Sequence, residues 1–356
     1  MNEKKSILPS SLLHHTPWEQ NTTPIWPAST FLLRRNLARQ LFPNKMNEKQ
    51  MQTVLGIIKD AIFESKALEN PSFVKAEELS PTEKEFLFEH FLIADSFQNA
   101  QSGQGFIIDQ KGECLTEINI QDHLTLCCID CNADWKNSWK KLTELESLLS
   151  KRIDFAYNPK FGYLTANPFL SGTALQIQIY LHLPALIHTG KLQSALENFK
   201  EHEIEIKGIS GNLEEMVGDL IILQNRYTLG ITEESILHLL HTTATKMMQM
   251  EKQCRDNIKE QGDPEIKDKV SRAFGLLAHS YKLQTKEALS ALSFLKLGID
   301  LDWIEGLSNS KINELLFKCR RAHLIFSESE SLPKEEISHK RSEFLHGSLK
   351  DVQLKI

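Results

Sequence analysis

Long apolar runs are missing from this chain. Its most apolar stretch, residues 175–187, is interrupted by Gln176, Gln178, His182 and Pro184, so it is too short and too polar to span a bilayer. Lys4 and Lys5 have no apolar run behind them, and no secretory leader is expected. A surplus of positive charge is missing too. Lys and Arg number 41 against 47 Asp and Glu, a formal net charge of −6, so no global basic field recruits nucleic acid. A Walker-type loop, a GxSxG and an HExxH are all absent from the sequence, which removes the motifs of three large enzyme classes. There is no internal repeat and no low-complexity tract. The expectation is a cytoplasmic protein with neither membrane nor nucleic acid as partner.

Cysteines are few. Of the six, Cys128 and Cys131 form a CxxC. A structural zinc site needs two more ligands at similar spacing, and no second such pair exists. His123 is near in sequence but reads as part of a strand. No metal site is expected, and the thiols are read as reduced cysteines on a half-buried strand and its turn.

What is present is an ordinary globular composition. Hydrophobic residues make up 41% and charged residues 25% of 356, enough for two domains or one with an appendage. Residues 1–25 are polar and aperiodic, and are read as a flexible N-terminal arm. Helical periodicity runs over 47–65, with Met51, Val54, Leu55, Ile58, Ala61 and Ile62 on one face. A second helix, over 82–92, starts at Ser80-Pro81. Period two takes over from 105 to 130, as three strands around a turn at Gln110-Lys111-Gly112. An amphipathic helix follows over 134–151, built on Trp135, Trp139, Leu142, Leu145 and Leu149. Residues 162–166 and 174–180 read as strand or pre-helix segments, 191–202 as a helix, and 203–209 and 220–228 as strands. Beyond Gly230 only helices are expected: one from Thr232, broken at Gly262-Asp263-Pro264, then 285–297, 311–326 and 333–345. Strands meeting directly with helices interspersed argue an α+β fold, a large antiparallel sheet flanked by helices, plus a C-terminal all-helical domain.

An ordered series of short motifs then resembles a known family. Phe155-Ala156-Tyr157-Asn158, Gly162-Tyr163-Leu164-Thr165, Gly172-Thr173 and His182-Leu183-Pro184-Ala185-Leu186 are similar to the central block of the ATP:guanido phosphotransferases, the phosphagen kinases. Gly208-Ile209, Gly211, Val217-Gly218 and Thr228-Leu229-Gly230 resemble the next block. Leu297-Gly298-Ile299-Asp300-Leu301, Gly306-Leu307-Ser308 and Asn313-Glu314-Leu315 resemble the helical C-terminal part of the bacterial protein-arginine kinases. The likeness covers residues 26–324. It implies a glutamine synthetase/guanido kinase-like catalytic domain over 26–255 and a helical dimerisation or binding domain over 256–356. The implied reaction moves the γ-phosphoryl of Mg-ATP to a protein arginine, a mark that in bacteria labels proteins for degradation or inactivates a repressor.

Phosphoryl transfer asks the protein for positioning and for positive charge around a polyanion. A protonated, delocalised guanidinium further needs carboxylates to orient and deprotonate it. The family's motifs supply both, and this sequence departs from nearly all of them. The stretch resembling SSRxRxxRN reads Ala28-Ser29-Thr30-Phe31-Leu32-Leu33-Arg34-Arg35-Asn36, placing Thr30 and Leu32 where two phosphate arginines belong. Arg34 lies two residues further on and need not face the same pocket. The family's nucleotide-side histidine falls on Phe91. NEEDHxR reads Asn119-Ile120-Gln121-Asp122-His123-Leu124-Thr125, so Gln121 replaces the guanidinium carboxylate and Thr125 a phosphate arginine. In CPxNxGT the reactive cysteine falls on Asn167, and the following arginine on Gln176. RGxxGE becomes Lys207-Gly208-Ile209-Ser210-Gly211-Asn212; Lys207 keeps a charge without the bidentate fork, and Asn212 loses the acid. The candidate catalytic positions are thus Gln121, Asn167 and Asn212. The candidate cofactor positions are Ser29, Thr30, Leu32, Phe91, Thr125, Gln176 and Lys207.

Losing one preorganised electrostatic donor costs about 10²–10³ in rate, and here four arginines become neutral, one becomes lysine and the key glutamate becomes an amide. The first expectation is therefore a pseudokinase with a regulatory or scaffolding role in protein quality control or stress response. The alternative is a divergent active protein-arginine kinase using Mg-ATP, with a cage rebuilt from groups such as Arg34, Lys207, Asp122 and His123. The structural reading is that Asp122 and His123 hold a strand end and Lys207 lies on a solvated rim. A phosphoarginine reader is disfavoured, because Lys334 to Arg341 do not restore RDxxRA; Lys340 and Arg341 are read as a solvated helix face. The resemblance implies a homodimer through the C-terminal helices, with an activator-like protein or client proteins as further partners.

Overall fold

Eight strands joined edge to edge carry the central motifs. The computed structural model describes residues 6–19, 21, 23–91, 98–131, 134–197, 203–209, 211, 216–327 and 332–356. After a short helix α1 (Ser10–His14), the motif around Arg34-Arg35 forms strand β1 (Ala28–Arg35). Helix α2 (Glu48–Ser65), strand β2 (Ser72–Lys75) and helix α3 (Pro81–Phe91) follow. The period-two stretch becomes β3 (Gly105–Ile108), β4 (Cys114–Ile118) and β5 (Leu124–Asp130), and then comes α4 (Trp135–Ser150). A two-residue-per-strand hairpin, β6 (Tyr157–Asn158) and β7 (Gly162–Tyr163), precedes β8 (Leu175–His182), α5 (Pro184–His188) and α6 (Leu192–Glu197). Strands β9 (Ile204–Gly208) and β10 (Leu220–Asn225) complete the sheet, in the order β2-β3-β4-β5-β1-β8-β10-β9. The register is antiparallel from β2 through β1. The α+β fold with a large antiparallel sheet and flanking helices is the architecture expected.

The helices start where local chemistry provides partners for their first amides. Asn47 caps α2 in a reciprocal box with Gln50, a feature worth about 1 kcal/mol. Asp134 caps α4, whose buried stripe is Trp135, Leu142, Leu145 and Leu149. Trp135 lies edge-on to Phe31 at 5.3 Å, so α4 covers the sheet face that carries Phe31.

The C-terminal region is helical. It comprises α7 (Glu233–Gln261), α8 (Pro264–His279), α9 (Thr285–Asp300), α10 (Asn309–Lys318), α11 (Arg321–Ser327) and α12 (Ile337–Ser348). A small pair, β11 (Ile304–Glu305) with β12 (Gln353–Leu354), interrupts the helices. Asp263 caps α8 with Pro264 in its first turn. The single helix expected over 311–326 is two, because the chain turns at Cys319, where the Cys319 carbonyl accepts a hydrogen bond from Arg341 Nε.

The chain divides into two units that interleave in sequence. The first is Met1–Pro17, Ser29–Gln178 and Asn225–His238; the second is Trp18–Ala28, Ile179–Gln224 and Leu239–Ile356. These units follow spatial packing and differ from the expected division at residue 255, a position through which α7 runs unbroken. The N-terminal stretch is also no loose arm where it is described. In the first unit Leu12 is buried and Glu83 accepts hydrogen bonds from Ser6 Oγ and Ile7 N. In the second, Trp18 is buried against Tyr180 and Phe317. A few large side chains suffice to anchor a stretch that lacks any period.

Candidate functional site

Strand geometry decides which motif residues share a surface. Side chains alternate along β1, so Thr30, Leu32 and Arg34 lie on one face and Ser29, Phe31, Leu33 and Arg35 on the other. The register places Thr125 opposite Arg34, Cys127 opposite Leu32 and Ile129 opposite Thr30. One strand further, Glu117 stands opposite Thr125. From β8, Gln176 Oε1 accepts a hydrogen bond from Arg34 Nη2 at 2.9 Å. The structure thus gathers Thr30, Leu32, Thr125 and Gln176 into one strip with Arg34 among them, where the sequence left the direction of Arg34 open. It removes Ser29, which accepts a hydrogen bond from Trp135 Nε1 under α4.

The strip is nearly dry. Thr30, Leu32, Arg34, Thr125 and Glu117 are buried, and Gln176 is half-buried. Arg34 Nε lies 3.9 Å from Asp122 Oδ2, roughly 4 kcal/mol of gross attraction at an effective dielectric constant near 20. Burial pulls the Arg34 pKa down, while Asp122, Glu117 and Cys127 push it up. Arg34 Nη1 is buried without a hydrogen-bond partner. Glu117 is the residue that reading the sequence missed. Its signal was a lone acid inside the apolar strand Cys114-Leu115-Thr116-Glu117-Ile118.

Asp122 ties the strip to its neighbours. Its Oδ1 accepts from Asn36 Nδ2 and from Ala166 N, both at 2.6 Å. His123 Nδ1 accepts from Leu37 N at 3.0 Å, and its Nε2 faces the Leu41 carbonyl at 2.8 Å, an arrangement that fits the neutral ring with its proton on Nε2. Burial lowers the His123 pKa. The Asp122-His123 pair therefore holds the end of β1 and the 164–167 segment in place. Gln121 is exposed beside this junction. Asn167 is exposed as well, and its side chain accepts from Phe169 N to cap a short turn. Phe91 is buried at the end of α3. Asn212 lies outside the described residues.

Comparison with known proteins matches two family models in succession. The ATP:guanido phosphotransferase C-terminal catalytic domain matches residues 53–254, and the protein-arginine kinase McsB C-terminal domain matches residues 263–355. A protein-arginine kinase of Chlamydia pneumoniae is 33% identical over 326 residues, 90% of each chain. That of Halothermothrix orenii is 31% identical over 341 residues, 96% of this chain and 97% of its own. This chain belongs to the protein-arginine kinase family. Among solved structures, a lombricine kinase superposes with a TM-score of 0.55 at 17% identity over 72% of each chain. The duplicated taurocyamine kinase of Schistosoma mansoni with bound transition state analog components gives 0.58 at 16% identity, covering 85% of this chain and 49% of that one. Both share the guanidino-kinase fold.

The family uses ATP, and the strip can be tested for fit to a triphosphate. Among the described residues it offers one guanidinium, Arg34, and two carboxylates, Asp122 and Glu117. The remaining members, Thr30, Leu32, Thr125, Cys127 and Gln176, carry no positive charge. A buried anion needs compensating charge, and here the carboxylates outnumber the cation. The strip does not fit a polyphosphate. Among the described residues, no group of three or more His, Cys, Asp or Glu is placed to hold a metal ion. Cys131 Sγ donates to the Pro17 carbonyl, and burial raises its pKa. No described helix is long and apolar enough to cross a membrane.

The second unit holds the other candidates. Lys207 sits on β9, a terminal strand of the sheet, half-buried, and burial lowers its pKa while Glu205 raises it. It is not a fully solvated rim residue. Arg341 corrects the sequence reading more sharply. It is buried, with Nε donating to the Cys319 carbonyl and Nη1 to the Leu283 carbonyl, both at 2.7 Å. Its charge closes the C-terminal end of α10, where a cation is favourable. Lys340, at the partly exposed neighbouring position, pairs with Glu343.

Lys296 is fully buried in the same unit, and its Nζ donates to Asn313 Oδ1 at 2.8 Å. Burial, with Arg255 repelling and Asp300 attracting, brings its pKa down to about 7. His182, near enough to feel its charge, is held neutral by burial. The folded pKa of Lys296 lies below the unfolded one, so the unfolded chain binds more protons between them and stability rises with pH above about 7. Between pH 7 and pH 9 this group is expected to add about 2 kcal/mol. Urea titrations of the wild type and of Lys296→Met check this: the variant's stability should lose that rise. Equal slopes would place the charge elsewhere.

Proposed function

We propose that this member of the protein-arginine kinase family is a pseudokinase, with a regulatory or scaffolding role in protein quality control. The observation that carries this reading is the strip of β1, β5 and β8, where Arg34 is engaged by Gln176 and Asp122 and carboxylates outnumber the cation. A γ-phosphoryl entering there meets Asp122 and Glu117 in place of an arginine cage. Each missing donor is worth about 10²–10³ in rate, and even strongly non-additive losses leave phosphoryl transfer too slow to serve. Self-association through the C-terminal helices, or pairing with an activator-like protein or client proteins, is the mode of action that suits a scaffold.

The second reading is an active protein-arginine kinase, the activity named for its relatives. It is favoured by the open donor on Arg34 Nη1, which can take one more anionic oxygen. Asp122 would then be the carboxylate beside the guanidinium.

Thermal unfolding with millimolar Mg-ATP separates the two. A ligand at a hundred times its dissociation constant stabilises by about 2.7 kcal/mol, a shift of a few degrees for a chain this long. No shift is expected, and no acid-labile phosphoarginine on an arginine-rich protein incubated with the chain and Mg-ATP. A clear shift together with phosphoarginine overturns the pseudokinase reading.

A further inference from the structure

Large apolar side chains exposed to solvent are not spread evenly over the chain. Of the eleven among the described residues, five sit on three short segments of the first unit: Tyr157, Phe161, Phe169, Tyr227 and Leu229. Their exposure runs from 44% to 84%, with Phe169 the highest. Hydrogen bonds lock these segments together. Tyr163 and Gly172 exchange both backbone bonds, at 2.8 and 3.0 Å. Thr173 N donates to the Thr228 carbonyl at 2.9 Å, and Thr228 Oγ1 donates to the Ser171 carbonyl at 2.8 Å. Asn225 Nδ2 donates to the Tyr227 carbonyl at 3.0 Å. The Tyr157 ring rests edge-on against Tyr163, and the Arg35 guanidinium covers the Tyr163 ring at 3.4 Å. The aromatics therefore stand on a braced platform. Rigid aromatic rings bind with little further loss of conformational freedom, whereas isolated exposed apolar residues need no explanation.

Charge narrows the occupant. Residues 157–163, 167–172 and 225–230 contain Lys160 and Arg226 and no Asp or Glu, so these three segments are themselves positive on a chain whose formal net charge is −6, with Glu146, paired to Arg35, and Glu233 acting on Tyr163 from neighbouring elements. Lys160 lies over the Phe161 ring at 5.3 Å. A symmetric contact with a second copy would set these cations against each other. Two cations are also few for a polyanion, whose affinity rests on many phosphate contacts. We propose that this platform docks a partner protein through a segment that combines aromatic or aliphatic side chains with acidic ones. The inference rests on the scaffolding reading for its purpose, while peptide binding and Mg-ATP binding are measured separately and fail separately.

The test uses the full chain and fluorescein-labelled twelve-residue peptides, read by anisotropy. One alternates Glu with Phe and Leu, the second replaces each Glu by Lys, and the third replaces each Phe and Leu by Ser. The first should bind, and the other two should bind at least tenfold more weakly. Phe169→Ser with Tyr227→Ser should weaken the first peptide at least tenfold, with thermal unfolding unchanged because both side chains are exposed. Lys160→Glu with Arg226→Glu gives an independent check and should do the same. No binding of the first peptide, equal binding of all three, or binding that survives both double variants overturns the proposal. So does a change in molecular mass of either variant by light scattering, which assigns the platform to a second copy. Tighter binding of a single-stranded oligonucleotide than of the first peptide assigns it to nucleic acid and overturns it as well.

Discussion

Glu251→Ala is expected to destabilise the protein by about 3–5 kcal/mol, the largest single effect foreseen for this chain. Glu251 is fully buried in the second unit. Its two oxygens accept from Ala185 N at 3.0 Å, Leu186 N at 2.9 Å and Arg255 Nε at 2.7 Å. Arg255 also donates to Asp300 and to the His182 carbonyl. Removing the carboxylate orphans two backbone amides and leaves Arg255 and Lys296, which repel each other, with Asp300 as their counter-charge. Urea denaturation should show a lower midpoint at an unchanged slope. A loss under about 1 kcal/mol would mean that water takes the carboxylate's place. Charge in this unit is therefore spent on holding the fold.

Gly172→Ala is the second large effect, a loss of about 3 kcal/mol or more. Gly172 has φ +110, and a Cβ there would lie 2.1 Å from the Thr228 carbonyl oxygen and 2.7 Å from Leu229 Cα. Those are backbone atoms and cannot rotate away. The segments must part, losing the bonds of Thr173 and Thr228 that brace the aromatic platform. Chemical denaturation measures the loss, and hydrogen exchange at the Thr173 and Tyr163 amides locates it. Stability within about 0.5 kcal/mol of the wild type, the range of neutral surface changes, would show that the neighbouring loop yields freely. The variant also connects stability to function, since a parted platform should lose the acidic aromatic peptide.

Much of the fold is legible in the sequence because it depends on local chemistry. Period two at residues 105–130, the Ser80-Pro81 and Asp263-Pro264 starts, and the helical stripe of α4 each report a backbone geometry through neighbouring residues. The family could be read in the same way, from short motifs in order. That Thr30, Leu32, Thr125 and Gln176 cannot carry positive charge is likewise a statement about residue types, true wherever they point.

Orientation and burial were not legible, because they depend on residues far apart in sequence. Arg34 joined the strip only once β1 was seen to be a strand paired in register with β5, and Glu117 joined it through β4. Arg341 passed from a solvated face to a buried clasp because carbonyls at Leu283 and Cys319 converge on it. The aperiodic N-terminal stretch found partners for Leu12 and Trp18 that no local pattern announces. The sequence by itself determined the family, the class of fold and the neutral side chains at Thr30, Leu32, Thr125 and Gln176, since these follow from residue identity and short-range period. Tertiary structure alone decided which charges neutralise one another and which aromatic rings are left facing water, because burial and pairing are set by distant segments meeting in space.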